Sequence, residues 1–547
     1  MLDTKKEIPM NIVELRKITY TPHGQKSPIL KDVELTITQG DFVLLEGENF
    51  GGKSTLVDII LGFREPDNKD AQIKVFGGSP DSLKAKFNTG VVFQEKIELP
   101  SWTKVGKFMD LIESHCPDAK GKVTSFLQKS DIKVDEEFLS KETNNENRSP
   151  FAGSEARIFT LALALARSPK LLILDEPTAA LTPENKRKYW QYVKTFSKEG
   201  GTVLVVSPKD KENDSVIEKE LQENDIKPTK KLFLDKEKKN LILTLSNKPH
   251  SENIKTDFAA FEKIGIFHWI VLALKYAGMN FEKLRNQPTT VLLNFAVGIF
   301  FVIMVAFFSN LLPEQFSLVI PYSNYWLIVN ICCFYLAVIS ITAIANDIVL
   351  KRKESVWLKF RQTLPVPALV YLFGEVIPYL LIWSLLAFLI TITSSICFHL
   401  PFLSIFNISL CFVVGLLPLL FLGLIIGYRL PLDSVNLIAL FLPFLFELPL
   451  IFGFYLRLIL LSQSGDKIPQ YIAKFAYGFD LFSTYSPIYH WVQLALGSVD
   501  AREYDQYFWL HLFWLIGIIS IFGLLAVKTY RGYYKLAIAN VTKKQET

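Results

Sequence analysis

The chain has 547 residues, 50% of them hydrophobic, with a net charge of +5 and a mean hydropathy of +0.25. It is long enough for several domains and too apolar for a wholly soluble protein, so part of it is expected to lie in lipid. The five cysteines, Cys116, Cys332, Cys333, Cys397 and Cys411, show no paired spacing. That argues against a disulfide framework or a zinc cluster and leaves them as small apolar fillers.

The averages conceal two polymers. From residue 1 to 245, short apolar runs such as "DFVLLEG", "LLILDEP" and "GTVLVVS" alternate with helical stretches such as "KSTLVDIILGF". Short continuous apolar runs suit buried parallel strands, and the helices between them suit βαβ units, so this half reads as an α/β nucleotide fold. The opening "MLDTKKEIPMNIVELRK" has no apolar core of signal-peptide length, so this domain is expected to stay in the cytosol. From residue 209 to 257 the chain turns strongly charged, with a possible strand pair in "KLFLDKEKKNLILTLS" and a linker over 246–257.

Beyond the linker the pattern becomes that of a membrane protein. Residues 258–285 are apolar but interrupted by His268 and Lys275, which suits a helix lying in the membrane interface. Six spans are expected within 286–530, near 288–309, 324–350, 366–396, 407–428, 435–461 and 506–527. Lys351, Arg352, Lys353, Lys359 and Arg361 follow the second, the tail 531–547 is basic, and Lys283 and Arg285 precede the first. All fall on one face, so the positive-inside rule puts both termini in the cytosol. The aromatic connection 462–505 is expected to hold short re-entrant or surface helices. Arg429 and Arg457 sit close enough to span ends to snorkel. Glu447, inside "FLPFLFELPLIF", is costly at mid-bilayer. It reads as a substrate-pathway residue, a buried hydrogen-bonding group or the sign of a misplaced span boundary.

Two motifs carry chemistry. "GENFGGKST", from Gly47 to Thr55, follows a strand and opens a helix. Backbone N–H groups around Gly47, Asn49, Gly51 and Gly52, with the helix N-terminus, form a cradle for polyphosphate. Lys53 then reaches the terminal phosphates, and Ser54, with Thr55 beside it, faces a magnesium ion. In "LLILDEPT" an apolar strand delivers Asp175 to the metal shell, and Glu176 is placed to activate water for attack on the γ-phosphate.

Tyr20, "GENFGGKST", Gln94 in "VVFQE", "FAGSE" and "LLILDEPT" occur in an order and spacing that resembles an ATP-binding-cassette (ABC) domain over about the first 210 residues. The resemblance implies an α/β P-loop NTPase domain binding ATP and Mg2+, with Tyr20 stacked on adenine. Gln94 would join Ser54 and Asp175 at the metal, assist catalysis beside Glu176 and link the site to the membrane domain. The second half looks like the membrane domain of ABCG-like (type V) exporters: an all-α six-helix domain after the cassette, preceded by an interfacial helix, with "RKESVWLKFRQTLPVPALVYLFGEV" as the coupling element that touches the cassette. The implied protein is a half-transporter in a bacterial inner or plasma membrane, pairing with itself or a second half-transporter. Its cargo would be a hydrophobic or amphipathic peptide, lipid or drug, and nucleic acid is not an expected partner. A membrane-bound ATP switch or scaffold that moves nothing is the alternative.

The chain departs from the family at the face that meets the partner cassette. Ala152 stands where the signature serine would donate to the γ-phosphate, followed by Gly153, then Ser154 in place of a glycine, then Glu155. Thr182 replaces the aspartate of the loop after "DEPT", and Pro208 replaces the switch histidine, with neither a ring nitrogen nor a backbone donor. Ser154 and Lys209 are the residues that would compensate. A lost hydrogen bond to a charged acceptor costs roughly 1.5–3 kcal/mol, so tight Mg-ATP binding with slow or partner-dependent hydrolysis is expected.

Overall fold

The computed structural model describes residues 10–22, 24–143, 150–151, 153–179, 181–209, 215–246, 264–310, 323–352, 355–398, 402–431, 434–448, 486–497 and 501–545. The chain divides into two compact units. One contains 1–272, 354–370 and 534–547; the other contains 273–353 and 371–533.

In the first unit the strands are β1 (Asn11–Tyr20), β2 (Leu30–Thr38), β3 (Phe42–Gly47), β4 (Gln72–Val75), β5 (Thr89–Val92), β6 (Leu171–Asp175), β7 (Thr202–Pro208), β8 (Lys230–Asp235) and β9 (Asn240–Ser246). A small antiparallel sheet has the order β2-β1-β4, and a larger sheet the order β5-β6-β7-β3-β8-β9. In the larger sheet every pair from β5 through β8 is parallel, and β9 turns back antiparallel on β8, forming the expected strand pair. Every residue of β3, β5 and β6 is buried. That is why these strands read as unbroken apolar runs rather than alternating ones: both faces are covered.

The helices of this unit are α1 (Lys53–Ile60), α2 (Leu83–Asn88), α3 (Val105–Glu113), α4 (Lys122–Lys129), α5 (Glu136–Ser140), α6 (Gly153–Ala166), α7 (Pro183–Lys198) and α8 (Val216–Glu223). Helices α3, α4 and α5 lie between β5 and α6. One face of α7 buries Tyr189, Trp190 and Val193 against Phe42, Leu172, Leu174 and Val203 of the sheet. Each fully buried apolar side chain contributes roughly 1.5–3 kcal/mol. The indole of Trp190 stays satisfied by donating to Glu220 Oε2 at 2.9 Å.

The sheet order places the functional loops. Strand β7 lies between β3 and β6, with Gly47 opposite Pro208 and Asp175 opposite Val206, so the carboxyl ends of three neighbouring strands open at one edge. Ligands of open α/β sheets bind outside these ends.

The second half continues through α9 (Ile266–Arg285), α10 (Pro288–Asn310), α11 (Ser323–Lys351), α12 (Ser355–Thr363), α13 (Ala368–Phe398), α14 (Phe402–Arg429), α15 (Ser434–Leu448), α16 (Pro487–Gly497) and α17 (Ala501–Gln545). Among the described residues four stretches are long and apolar enough to cross a membrane: Val329–Lys351, Ala368–Cys397, Ile405–Arg429 and Phe508–Tyr533. A fifth arises if Ile266–Arg285 and Pro288–Met304, bent by 81°, make one broken span. This is coarser than the six spans the sequence led us to expect. The expected first span, 288–309, is the second limb of that bent pair. The bend falls where Pro288 starts a new helix, because proline donates no backbone N–H and suits a first helical position. The expected fifth span, 435–461, is represented by the short helix α15, and 449–461, with Arg457, lies outside the described residues. Of the 462–505 connection, α16 and the first turn of α17 are described. The linker beyond Ser246 lies outside them.

Within the second unit α14 packs closely on α11 through two glycines one turn apart. A Cβ on Gly423 would lie 2.9 Å from the carbonyl oxygen of Ile341, and one on Gly427 would lie 2.8 Å from that of Ala345. Small residues at such spacing let helix backbones approach where no water drives association.

Candidate functional site

The loop between β3 and α1 is shaped by its glycines. Gly52 caps α1 at φ 97°, and a Cβ there would press against Leu30 Cδ2 at 3.1 Å, so both conformation and space demand glycine. No acidic residue occupies the first turn of α1, which leaves the positive end of the helix dipole uncompensated. Lys53 is buried, and its ammonium donates to the carbonyl oxygens of Gly47 and Glu48 at 2.8 Å each. Asn49 and Ser54 are exposed, while Gly51 and Thr55 are buried. A phosphate-binding loop needs this arrangement: fixed N–H groups, one cation beside them, and a hydroxyl facing out.

Asp175 ends β6 and is buried; Glu176 follows in a left-handed conformation at φ 44°. Non-glycine residues adopt such a backbone at a cost of about 1–3 kcal/mol, and they do so mostly at functional sites. Gln94 Nε2 donates to Glu176 Oε2 at 3.0 Å, so the structure brings together the two side chains assigned to catalysis. Burial raises the Asp175 carboxyl to about 7; Lys359 opposes this, while Glu176, Glu95 and Asp58 add to it. A buried carboxylate among like charges suits a divalent cation. Among the described residues no group of three His, Cys, Asp or Glu side chains could hold a metal alone. Mg2+ commonly binds through one carboxylate plus substrate phosphates, so Asp175, Ser54 and Gln94 fit a magnesium ion that arrives with the nucleotide.

Two arginines invisible to motif reading support this site. Arg157 of α6 donates through Nη1 to the Phe93 carbonyl at 2.7 Å and through Nη2 to the Gln94 carbonyl, fixing the backbone that carries Gln94. Arg64 pairs with Asp58 of α1 at 2.9 Å, and its Nη1 donates to the Tyr20 hydroxyl, also at 2.9 Å. Its guanidinium carbon lies 5.3 Å from the Tyr20 ring centroid. Tyr20 is therefore tied to the helix that begins at Lys53.

The departures from the family have acquired structural partners. Thr182 caps α7 and accepts from Asn185 N at 3.4 Å. The Ser154 hydroxyl accepts from Thr182 N, also at 3.4 Å. Gly153 opens α6 at φ 48°, and Glu155 is exposed. Pro208 closes β7, and the next residue supplies the ladder bond, Lys209 N donating to Gly47 O at 2.9 Å. The Lys209 ammonium lies 3.2 Å from both Glu46 and Glu218. It is thus committed to carboxylates rather than left as a spare charge for a triphosphate. Ala152 lies outside the described residues.

The helix α12 belongs to the same compact unit as the cassette. Trp357 and Phe360 are buried on it, with ring centroids 5.4 Å and 6.4 Å from that of Phe108. Arg167 Nη1 donates to the Thr363 carbonyl at 3.3 Å. Lys359 lies 3.8 Å from Asp58 Oδ1 and 4.0 Å from Glu95 Oε1, with its ammonium 4.7 Å from the centre of the Phe93 ring. In the sequence Lys359 is one basic residue among several; these contacts bring it beside the acidic end of the site. In the second unit, Glu447 is the penultimate residue of α15, buried, with Oε2 lacking a partner among the described residues.

A family model described as "ABC transporter" matches residues 30–179. The phosphonates import ATP-binding protein PhnC 1 of Haloquadratum walsbyi is 31% identical over 201 residues, 36% of this chain and 64% of that protein. The glutamine transport ATP-binding protein GlnQ of Geobacillus stearothermophilus is 30% identical over 186 residues, covering 33% of this chain and 74% of that protein. The spermidine/putrescine import ATP-binding protein PotA of Mesoplasma florum is 28% identical over 201 residues, 36% of this chain and 54% of that protein. The chain thus spans just under two thirds of the first of these relatives, and the family model's match, 30–179, lies in its α/β part. With the loop at Lys53 and the acidic strand end at Asp175 and Glu176, these likenesses show an ATP-binding ATPase domain using ATP and Mg2+, followed by a polytopic helical domain: the chain belongs to the ABC transporter family.

Proposed function

We propose that the protein is an ATP-driven exporter half-transporter that moves a hydrophobic or amphipathic peptide, lipid or drug. It works as a homodimer or beside a second half-transporter, with both termini and the cassette in the cytosol of a bacterial inner membrane. The observation that carries this reading is α12, a helix between the membrane-length helices α11 and α13 that packs into the cassette's own compact unit. A cassette gripping a segment contributed by the membrane half has a mechanical link to it. The family's six-span plan supports completing the membrane domain with a span through α10 and another through α15. The domain division proposed is a cassette over 1–245, a linker over 246–257, a connecting helix over 258–285, a membrane domain over 286–530 and a tail over 531–547.

In the proposed cycle the loop N–H groups and Lys53 bind the β- and γ-phosphates, and Tyr20 stacks on adenine. A magnesium ion held by Ser54, Gln94 and Asp175 supplies charge neutralisation on the phosphate oxygens. Glu176, oriented by Gln94, takes a proton from water as the water oxygen bonds to the γ-phosphorus; the bond to the bridging oxygen breaks, leaving ADP and phosphate. Gly153 and Ser154 face the neighbouring subunit's nucleotide. Glu447, buried with one carboxylate oxygen lacking a partner among the described residues, is assigned to the substrate pathway.

The replacement of three γ-phosphate- and partner-sensing residues by Ala152, Thr182 and Pro208 favours slow or partner-dependent turnover, and it keeps a second reading open, a membrane-bound ATP switch. ATP-dependent accumulation of a hydrophobic dye or labelled lipid in inside-out vesicles separates the two. Accumulation that disappears with Lys53→Ala supports the exporter; ATP binding without accumulation of any cargo supports the switch.

A further inference from the structure

A cavity of about 340 Å³ lies within the second unit, walled by α9, α10, α11 and α13. Its lining is not that of an ordinary gap between lipid-facing helices. Lys283, Gln287, Asn294, Asn346, Asp347 and Trp383 all face it. Trp383 is 2% exposed, and its indole Nε1 has no hydrogen-bond partner among the described residues. An unpaired buried donor is costly, so it is expected to have a use.

The charges at the cavity's polar end are balanced. Lys283 donates to Asp347 Oδ1, and Lys351 lies 2.8 Å from Asp347 Oδ2 and also pairs with Glu375. Two cations meet two anions. A ligand of net charge would bring one uncompensated ion into this setting, whereas a zwitterion brings none. Of the three donors on the Lys283 ammonium, the structure commits one to Asp347, leaving N–H groups for a phosphate or carboxylate. The amides of Gln287 and Asn346 offer carbonyl oxygens to an ammonium. Leu350 both lines the cavity and is 46% exposed, so the opening on that side is apolar.

We propose that this cavity binds the zwitterionic head of an amphiphile, with its anionic group on Lys283, its neighbouring polar atoms on the amides and Trp383, and its apolar tail leaving past Leu350. The proposal goes beyond the transport reading. Its test uses no nucleotide, so its failure would leave that reading standing.

The full-length chain is reconstituted into vesicles carrying a trace of phosphatidylethanolamine with a photoreactive acyl chain, or of phosphatidylglycerol with the same chain. Labelled residues are then mapped by mass spectrometry. The zwitterionic probe is expected to label residues around the Leu350 opening at least about fivefold more than the anionic one, and Ala343→Trp, which fills the space, should abolish the difference. Trp383→Phe keeps the ring and removes the donor; it should weaken labelling about fivefold, the worth of one hydrogen bond. Competition by soluble glycerophosphoethanolamine would identify a free zwitterion as sufficient, and competition by the diacyl lipid alone would identify a membrane lipid; either supports the site. Equal labelling by the two headgroups, or labelling unchanged in both variants, overturns it.

Discussion

The two sides of the nucleotide site are built differently. On the chain's own side, Lys53 opens α1 beyond β3, Asp175 and Glu176 stand at the end of β6, and Gln94, beyond the neighbouring β5, already touches Glu176. On the side that would meet a partner's nucleotide, Thr182 has become a helix cap and Ser154 its hydrogen-bond acceptor, while Pro208, beside the own nucleotide loop, has become a strand terminus. These substitutions leave the fold satisfied while removing functional groups. A cassette can therefore carry such substitutions without any defect that stability would report.

The largest test of this contrast is Glu176→Gln. It should reduce ATP turnover by about 10²–10⁴-fold, the usual contribution of a positioned base, while leaving Mg-ATP retention intact. A loss under tenfold would mean that the own-side machinery is not what sets the rate, and the contrast would fail.

Next in size is a pH effect on Asp175, whose carboxyl burial raises from the ordinary 3.8 to about 7. Magnesium requires the ionised form, so Mg-dependent ATP retention should fall on going from pH 8 to pH 6, by about tenfold, approaching a factor of ten for each unit below 7. The metal-free protein has the opposite slope. A carboxyl whose folded pKa is raised contributes stability that is fully present below about 4 and is lost as pH rises through 7. Asp175→Asn should flatten both profiles, read by nucleotide retention and by thermal unfolding in chelator.

Pro208→His puts a ring nitrogen back beside the loop. Because Lys209 rather than residue 208 supplies the bond to Gly47, the strand end should tolerate the change. Turnover should rise about tenfold, the worth of one hydrogen bond to a charged acceptor. No increase, with binding unchanged, would move the cause of slow turnover to the signature at Ala152.

The sequence exposed the parts of the site that are contiguous in the chain. "GENFGGKST" and "LLILDEPT" carry their chemistry in single runs, and their strand and helix contexts follow from apolar periodicity. Arg157, Arg64 and Lys359 stayed hidden because their roles arise only where distant segments meet, 64 residues apart for Arg157 and Phe93. In the membrane half, composition located α10, α11, α13 and α14 well. It could not show that α9 and α10 form one bent pair, since an interfacial helix and the first limb of a broken span have the same apolar pattern interrupted by a few charges.

A smaller effect separates structure from function at Thr182. Thr182→Ala should cost about 1 kcal/mol by uncapping α7, whereas Thr182→Asp keeps the cap and restores the family's carboxylate. If the two variants unfold at the same temperature, the capping account of this substitution is wrong.

The smallest predicted effect concerns Phe50, at the tip of the phosphate loop. It sits at φ 61° and is 77% exposed, an aromatic side chain in a left-handed conformation that buries little within the chain. Such a backbone costs a non-glycine residue roughly 1–2 kcal/mol, and glycine returns part of that through the greater entropy of its unfolded chain. Phe50→Gly should therefore stabilise the nucleotide-free protein by about 0.5–1 kcal/mol in thermal unfolding. The position of the strain bears on the opening contrast. Phe50 and Glu176, both left-handed, lie on the own side, while across the site Thr182 has an ordinary extended φ of −68° and, among the described residues there, the positive φ at Gly153 is on a glycine. Strain persists where surrounding structure holds a residue for a purpose. If Phe50→Gly gains stability and also loses ATP retention, the loop tip joins Lys53 and Glu176 as a working part of the own side. If it gains stability with retention unchanged, the strain that matters is confined to Glu176.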